Sequence, residues 1–166
     1  MDILKAASDW AKAEVFSTTF FIIAGVLFVA ASVGFWHLGK TDLARAYIIP
    51  TLVAGIMLLI IGFGLFFSNK ARVANFPGAY KQDVVAFVEA ENARVDRTLK
   101  EYSLQVFKII PVLIIAAALV IIFTGNPVWR AISITTIAML IVILLIDGTA
   151  HARIMAYKEQ LELVEK

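Results

Sequence analysis

The chain of 166 residues contains no cysteine. Disulfides, thiolate zinc sites, iron–sulfur ligation and CxxC redox chemistry are therefore excluded together. Histidine occurs at only two positions, His37 and His151. They fall on opposite sides of the apolar pattern, a membrane thickness apart, which argues against a bis-histidine haem. Charged residues make up 17% of the chain, where a soluble domain carries roughly 25%. The net charge of +2 is too small to suggest a nucleic-acid partner. GxSxG, P-loop and HExxH motifs are absent, and no pair of carboxylates lies deep in an apolar stretch. No motif ties the chain to a particular family.

Apolar sequence is abundant instead: 61% of the residues are hydrophobic, gathered into four blocks. Residues 15–36 and 46–67 are each 22 residues long without a charge. Residues 104–123 contain only Lys108, and residues 128–146 only Arg130. A helix needs about 20 apolar residues to cross the hydrocarbon layer. Without water there, each backbone amide must bond within its own helix. The first block is too long for a signal-peptide core, usually about 7–15 residues, and reads as a retained helix. The expected fold is an all-α membrane protein with transmembrane helices at 15–36, 46–67, 104–123 and 128–149. The linkers HLGKTDLAR and TGNPV are short, so the helices should pair as two antiparallel hairpins. No repeat relates the halves, which gives no support to an inverted-repeat transporter.

Charge sets the expected orientation. Four spans put both termini and the middle loop on one side. That side carries eleven Lys and Arg residues, and the other carries three, Lys40, Arg45 and Arg130, with Lys108 inside the third span left out. The positive-inside rule makes the rich side cytoplasmic, so an inner-membrane protein with both termini inside is expected.

The cytoplasmic segments should also be helical. Asn75 and Pro77 suit a helix start, and no Gly follows Gly78 before Gly125. Val84, Val88, Val95, Leu99, Tyr102 and Val106 form one stripe, so residues 75–103 read as a helix continuous with the third span and kinked at Pro111. Glu91 and Arg94 fall on its polar face in this reading. Residues 150–166 form a C-terminal helix with a seam at Ala150, Ile154, Tyr157, Leu161 and Val164. Residues 1–14 read as an amphipathic interfacial helix anchored by Trp10; packing beside the other cytoplasmic helices is the alternative. Small residues mark close approach: Gly25, Ala30, Ala31 and Gly34, then Gly55, Gly62 and Gly64, then 116–118.

One polar constellation stands out. Asp147 lies 19 residues beyond Val128, about 28 Å along a helix and thus at the inner boundary. His151 follows at i+4 on the same face. Reflection through the tight turn places Lys108 at the same depth, and Glu14 enters the first span there. Glu14, Lys108, Asp147 and His151 are therefore the candidate polar cluster, with Glu101 just outside. Asp147 should face the bundle with Lys108 or His151 in reach, because an unpaired ion facing lipid is costly. The plain reading is a membrane boundary where Lys108 snorkels and pairs. A proton- or ion-handling site is the sharper one. Too few ligands are available for a dedicated metal site, and no cofactor is expected.

These features describe a non-enzymatic packing or interaction protein, with the bilayer, a second copy or another membrane protein as partner. The alternatives are a small-molecule, proton or ion handler, or an enzyme acting on a lipid-soluble substrate. A cavity between the helices at the depth of Asp147 discriminates, because a packed bundle has none.

Overall fold

The structure is a computed structural model and describes residues 3–163. Every element is helical: α1 (Ile3–Leu38), α2 (Asp42–Ala46), α3 (Ile48–Gln82), α4 (Val84–Glu101), a π-helical segment (Tyr102–Ile109), α5 (Ile110–Phe123) and α6 (Pro127–Glu162). Four helical stretches are long and apolar enough to cross a membrane. They include the four blocks of the sequence, but each of the four runs well beyond its block into charged sequence.

Local chemistry sets the helix ends. Thr41 caps α2 by accepting from the Ala44 N–H at 3.1 Å. Asn126 caps α6 by accepting from the Val128 N–H at 2.9 Å, with Pro127 in the first turn where its missing N–H costs little. Some hydroxyls inside the apolar stretches bond their own helix, as Thr18 does to the Val15 carbonyl at 2.9 Å.

Helix α1 runs along α3 in the opposite direction. Ser32 donates to the Ile48 carbonyl at 2.7 Å, Gly25 faces Gly55, and Gly62 faces Phe21 and Ile22. A Cβ on Gly25, Gly55 or Gly62 would lie under 3.0 Å from the neighbouring helix. Lipid supplies no hydrophobic drive for helix pairing, so close backbone approach takes its place. Gly34 and Gly64 have nothing within 4 Å, and Ala30 and Ala31 are exposed, so these expected contact positions are not contacts. Helix α6 packs on α1, α3, α4 and α5. Only Ile110 is buried in α5.

Two hydrophobic cores result. The first, within the apolar stretches, joins Phe21, Ala54, Leu58, Ile110, Met139 and Leu140. The second lies at the charged end and joins the first turns of α1, the last of α3, α4 and the tail of α6 around Trp10, Phe76, Val95, Ile154, Tyr157 and Leu161. The C-terminal seam is its α6 face; Val164 lies outside the described residues.

Two expectations need correction. The N-terminal stretch is not an interfacial helix. It is the start of α1, and Ile3, Ala7, Trp10 and Ala11 are all buried in the second core. Protein partners from three other helices take up its apolar face. The helix expected from residue 75 begins instead at Val84, because α3 runs through Pro77 to Gln82. Pro77 deprives the Val73 carbonyl of its helical donor, but Phe76 is buried edge-on against Phe87 at 5.5 Å and holds these turns in place. The break falls at Asp83, whose extended backbone and carboxylate cap α4, accepting from the Ala86 N–H at 3.0 Å. From Val84 the chain is helical to Phe123. Its irregularity is the π-helical segment, which ends just before Pro111, a residue without an N–H for the ladder.

Candidate functional site

A cavity of about 290 Å³ lies between the two cores, where apolar sequence gives way to charge. Trp10 of the second core and Phe21 and Val106 of the first line it, and every long helix contributes a polar wall residue except α5. Helix α1 supplies Glu14, α3 supplies Asn69 and Arg72, α4 supplies Arg94 and Glu101, and α6 supplies Asp147.

Part of this polarity is internally satisfied. Glu14 is 8% exposed and accepts from Arg153 Nε at 2.9 Å, tying α1 to α6. Glu91, behind the wall, is 6% exposed and accepts from Arg94 Nε at 2.9 Å, Arg94 Nη2 at 2.6 Å and the Tyr157 hydroxyl at 2.9 Å. Trp10 fills the space between these two donors. Its ring stacks on Tyr157 at 5.5 Å and lies under the Arg94 guanidinium at 4.2 Å. Four residues from three helices thus close a ring of charge, hydrogen bond and stacking.

The rest is unsatisfied. Arg72 donates to Asn69 Oδ1 at 2.6 Å but has no carboxylate partner among the described residues. Asp147 is half-buried on the wall and likewise has no ion pair or hydrogen bond there. The Trp10 Nε1 and Arg153 Nη2 atoms are buried without a partner. A cation on α3 and an anion on α6 therefore share one cavity, each without a counter-ion.

The field of the site follows from these positions. Burial and then the neighbouring Arg94 guanidinium pull Arg72 below its usual range, while Glu91 and Glu14 oppose them. Tyr102, just outside the apolar stretch, is pushed up by burial, then by the negative charges of Asp147 and Glu14. Tyr157 is pushed up by burial, then by the Glu91 charge and the hydrogen bond to it. A phenol whose folded-state value is raised contributes stability that is complete below its unfolded value and is lost as pH rises. Melting in detergent should therefore fall from about pH 10, the ordinary tyrosine value. In Tyr157→Phe that fall should be shallower by up to about 1.4 kcal/mol per pH unit, the contribution of one proton. Parallel slopes for the two proteins would remove Tyr157 as a cause.

The four residues of the expected cluster part company. Glu14 and Asp147 both line the cavity, as does Glu101. Lys108 is exposed and forms no ion pair among the described residues, so it does not meet Asp147. Reflection through the turn estimated its depth but not its direction. Val106 and Ile110, four apart, are the buried positions of that stretch, and Lys108 between them points away. His151 is half-buried between aromatic rings, edge-on to Phe107 at 4.9 Å and Tyr102 at 5.7 Å, and does not line the cavity. It shares a helix face with Asp147 without a hydrogen bond to it. His37 stacks on Trp36 at 5.4 Å at the opposite end.

Sequence reasoning missed Asn69, Arg72, Arg94, Arg153 and the buried Glu91. A signal existed for Glu91: it lies three residues after Val88 and four before Val95, inside the apolar stripe. A charge at such a position implies a buried partner. Among the described residues, no group of three His, Asp or Glu side chains is placed to hold a metal ion. In comparisons with known proteins, no family model, no curated protein and no solved structure matches this chain, and the cavity is read from its own residues.

Proposed function

We propose that this chain is a multi-pass membrane protein whose helices enclose a binding site for a small polar molecule at the charged end of the bundle. The observation that carries this reading is the cavity, with Arg72 and Asp147 facing it unpaired. A bundle built only for packing has no reason to hold two half-buried ions, neither in an ion pair among the described residues, beside about 290 Å³ of space. A ligand with groups of both signs would satisfy them. The spans form two antiparallel hairpins in the inner membrane, and the second core is a cytoplasmic extension. The excess of Lys and Arg on that side supports this orientation. Reporter fusions at Lys166 and at Lys40 should then report opposite sides; the same side for both would remove the four-span topology.

The binding reading is tested by thermal shift in detergent with glycerophosphoethanolamine, which carries an amine and a phosphate. Wild-type protein should be stabilised in a saturable manner, by about 2.7 kcal/mol at a hundredfold excess over Kd. Arg72→Gln and Asp147→Asn should each abolish the shift while retaining helical content. A wild-type shift that survives both substitutions would place binding elsewhere.

A second reading, self-association, rests on α5. With only Ile110 buried, this helix leaves Ala116 and large side chains such as Val112, Ile115 and Ile122 exposed, a surface that suits lipid or the same helix of a second copy.

A further inference from the structure

A second concavity runs along the outside of the molecule between α1 and α6, with a volume of about 550 Å³. Its walls are apolar and outward-facing: Phe16 is 68% exposed, Leu27 63% and Leu145 67%. Ser17 and Ile146 line both this groove and the polar cavity, so one layer of side chains separates them. The Glu14–Arg153 pair crosses that layer. Glu14 belongs to the cavity and Arg153 to the groove, joined by a bond of 2.9 Å. Arg153 has a second, buried nitrogen, Nη2, without an acceptor. The thin wall is made of Ser17, Ile146 and an ion pair that can re-form with another anion.

From this juxtaposition we infer that the α1–α6 seam is a lateral portal, through which a zwitterionic phospholipid with a primary-amine head group places its head in the cavity and a chain in the groove. The inference rests on the binding reading above and names its ligand. The charges fit: the phosphate meets Arg72, the ammonium meets Asp147, and the chain lies on Phe16, Leu27 and Leu145. An ammonium with N–H donors can hydrogen-bond the Asp147 carboxylate, whereas a quaternary ammonium cannot. A purely anionic head group would satisfy Arg72 and leave Asp147 stranded. The apolar groove explains why the ligand comes from the bilayer rather than from water, since each methylene transferred to apolar surroundings is favourable.

Native mass spectrometry of the full chain in detergent, with four added probes, tests this. Phosphatidylethanolamine should bind about tenfold or more tightly than phosphatidylcholine or phosphatidylglycerol of the same chains, a margin one satisfied charge pair supplies. Glycerophosphoethanolamine, which has the head but no chains, should bind about tenfold or more weakly than phosphatidylethanolamine, the contribution of roughly two buried methylenes. Asp147→Asn should reduce the ethanolamine lipid to the level of the choline lipid. Leu145→Ala should narrow the gap between lipid and chainless head. Equal binding of the three lipids overturns the head-group assignment. Equal binding of lipid and chainless head overturns the portal and leaves the cavity reading standing. Binding of none of the four overturns both. The lipid comparison is made on the wild-type protein, so it does not depend on any variant folding.

Discussion

Replacing Glu91 with alanine should cost about 3–5 kcal/mol of stability, the usual loss when one partner of a buried ion pair is removed. The carboxylate is 6% exposed and serves three donors, two on Arg94 and one on Tyr157. Without it, the Arg94 guanidinium keeps its place over Trp10 but loses its counter-charge, and the Tyr157 hydroxyl is left buried without an acceptor. The damage spreads because Trp10, Arg94 and Tyr157 come from α1, α4 and α6, so one deletion loosens three helices. Lys158→Ala is the control. It breaks the ion pairs with Asp96 at 2.7 Å and with Glu162 at 3.8 Å, but all three side chains are at least 35% exposed and solvent screens the loss, so melting should hardly change. The triple replacement Glu91→Leu, Arg94→Met, Tyr157→Phe should recover most of the lost stability, since removing every partner leaves no stranded group. Thermal melts followed by circular dichroism in detergent make the comparison. Equal, small effects for Glu91→Ala and Lys158→Ala would show that the ring contributes nothing.

The same ring shows where sequence reasoning stops. Runs such as 15–36 and 46–67 announce spanning helices because the hydrocarbon layer imposes both length and composition. The seam Ala150, Ile154, Tyr157, Leu161 is legible because helical periodicity fixes which residues share a face. Depth along a helix is legible too, and it brought Glu14 and Asp147 to one level. Direction around a helix is less so: depth alone sets Lys108 level with Asp147, although its side chain points away. The π-helical segment adds to this, since its wider turns change the register of faces without a warning in composition. Pairing across helices is hardest. Nothing local in the sequence tells Glu14 to choose Arg153, 139 residues away, over Lys108. Likewise Arg72 looks like one more cytoplasmic charge until three other helices close around it.

Gly55→Val should separate α1 from α3. A Cβ at this position would lie 2.7 Å from Val29 Cγ2 and 2.9 Å from both the Gly25 carbonyl oxygen and the Val29 nitrogen. Val29 could turn its side chain aside, but the two backbone atoms can move only if α1 moves with them. Overpacking of this kind costs typically about 1–3 kcal/mol, and a backbone obstruction belongs at the upper end or beyond. The Ser32 bond to the Ile48 carbonyl lies farther along the same interface and should be lost with it. Gly64→Val on the same helix is the internal control. Nothing lies within 4 Å of that position, so the substitution meets no obstruction there. Removing a glycine from a helix should even help slightly, by a few tenths of a kcal/mol. The site should report the same difference. Glu14 sits on α1, 11 residues before Gly25, about 16 Å along the helix. A displaced α1 therefore carries Glu14 and Ser17 away from Asp147. Gly55→Val should lose both melting temperature and the glycerophosphoethanolamine-dependent shift, while Gly64→Val keeps both. If the two variants melted alike, the close approach of α1 and α3 would not be what holds the cavity wall in place.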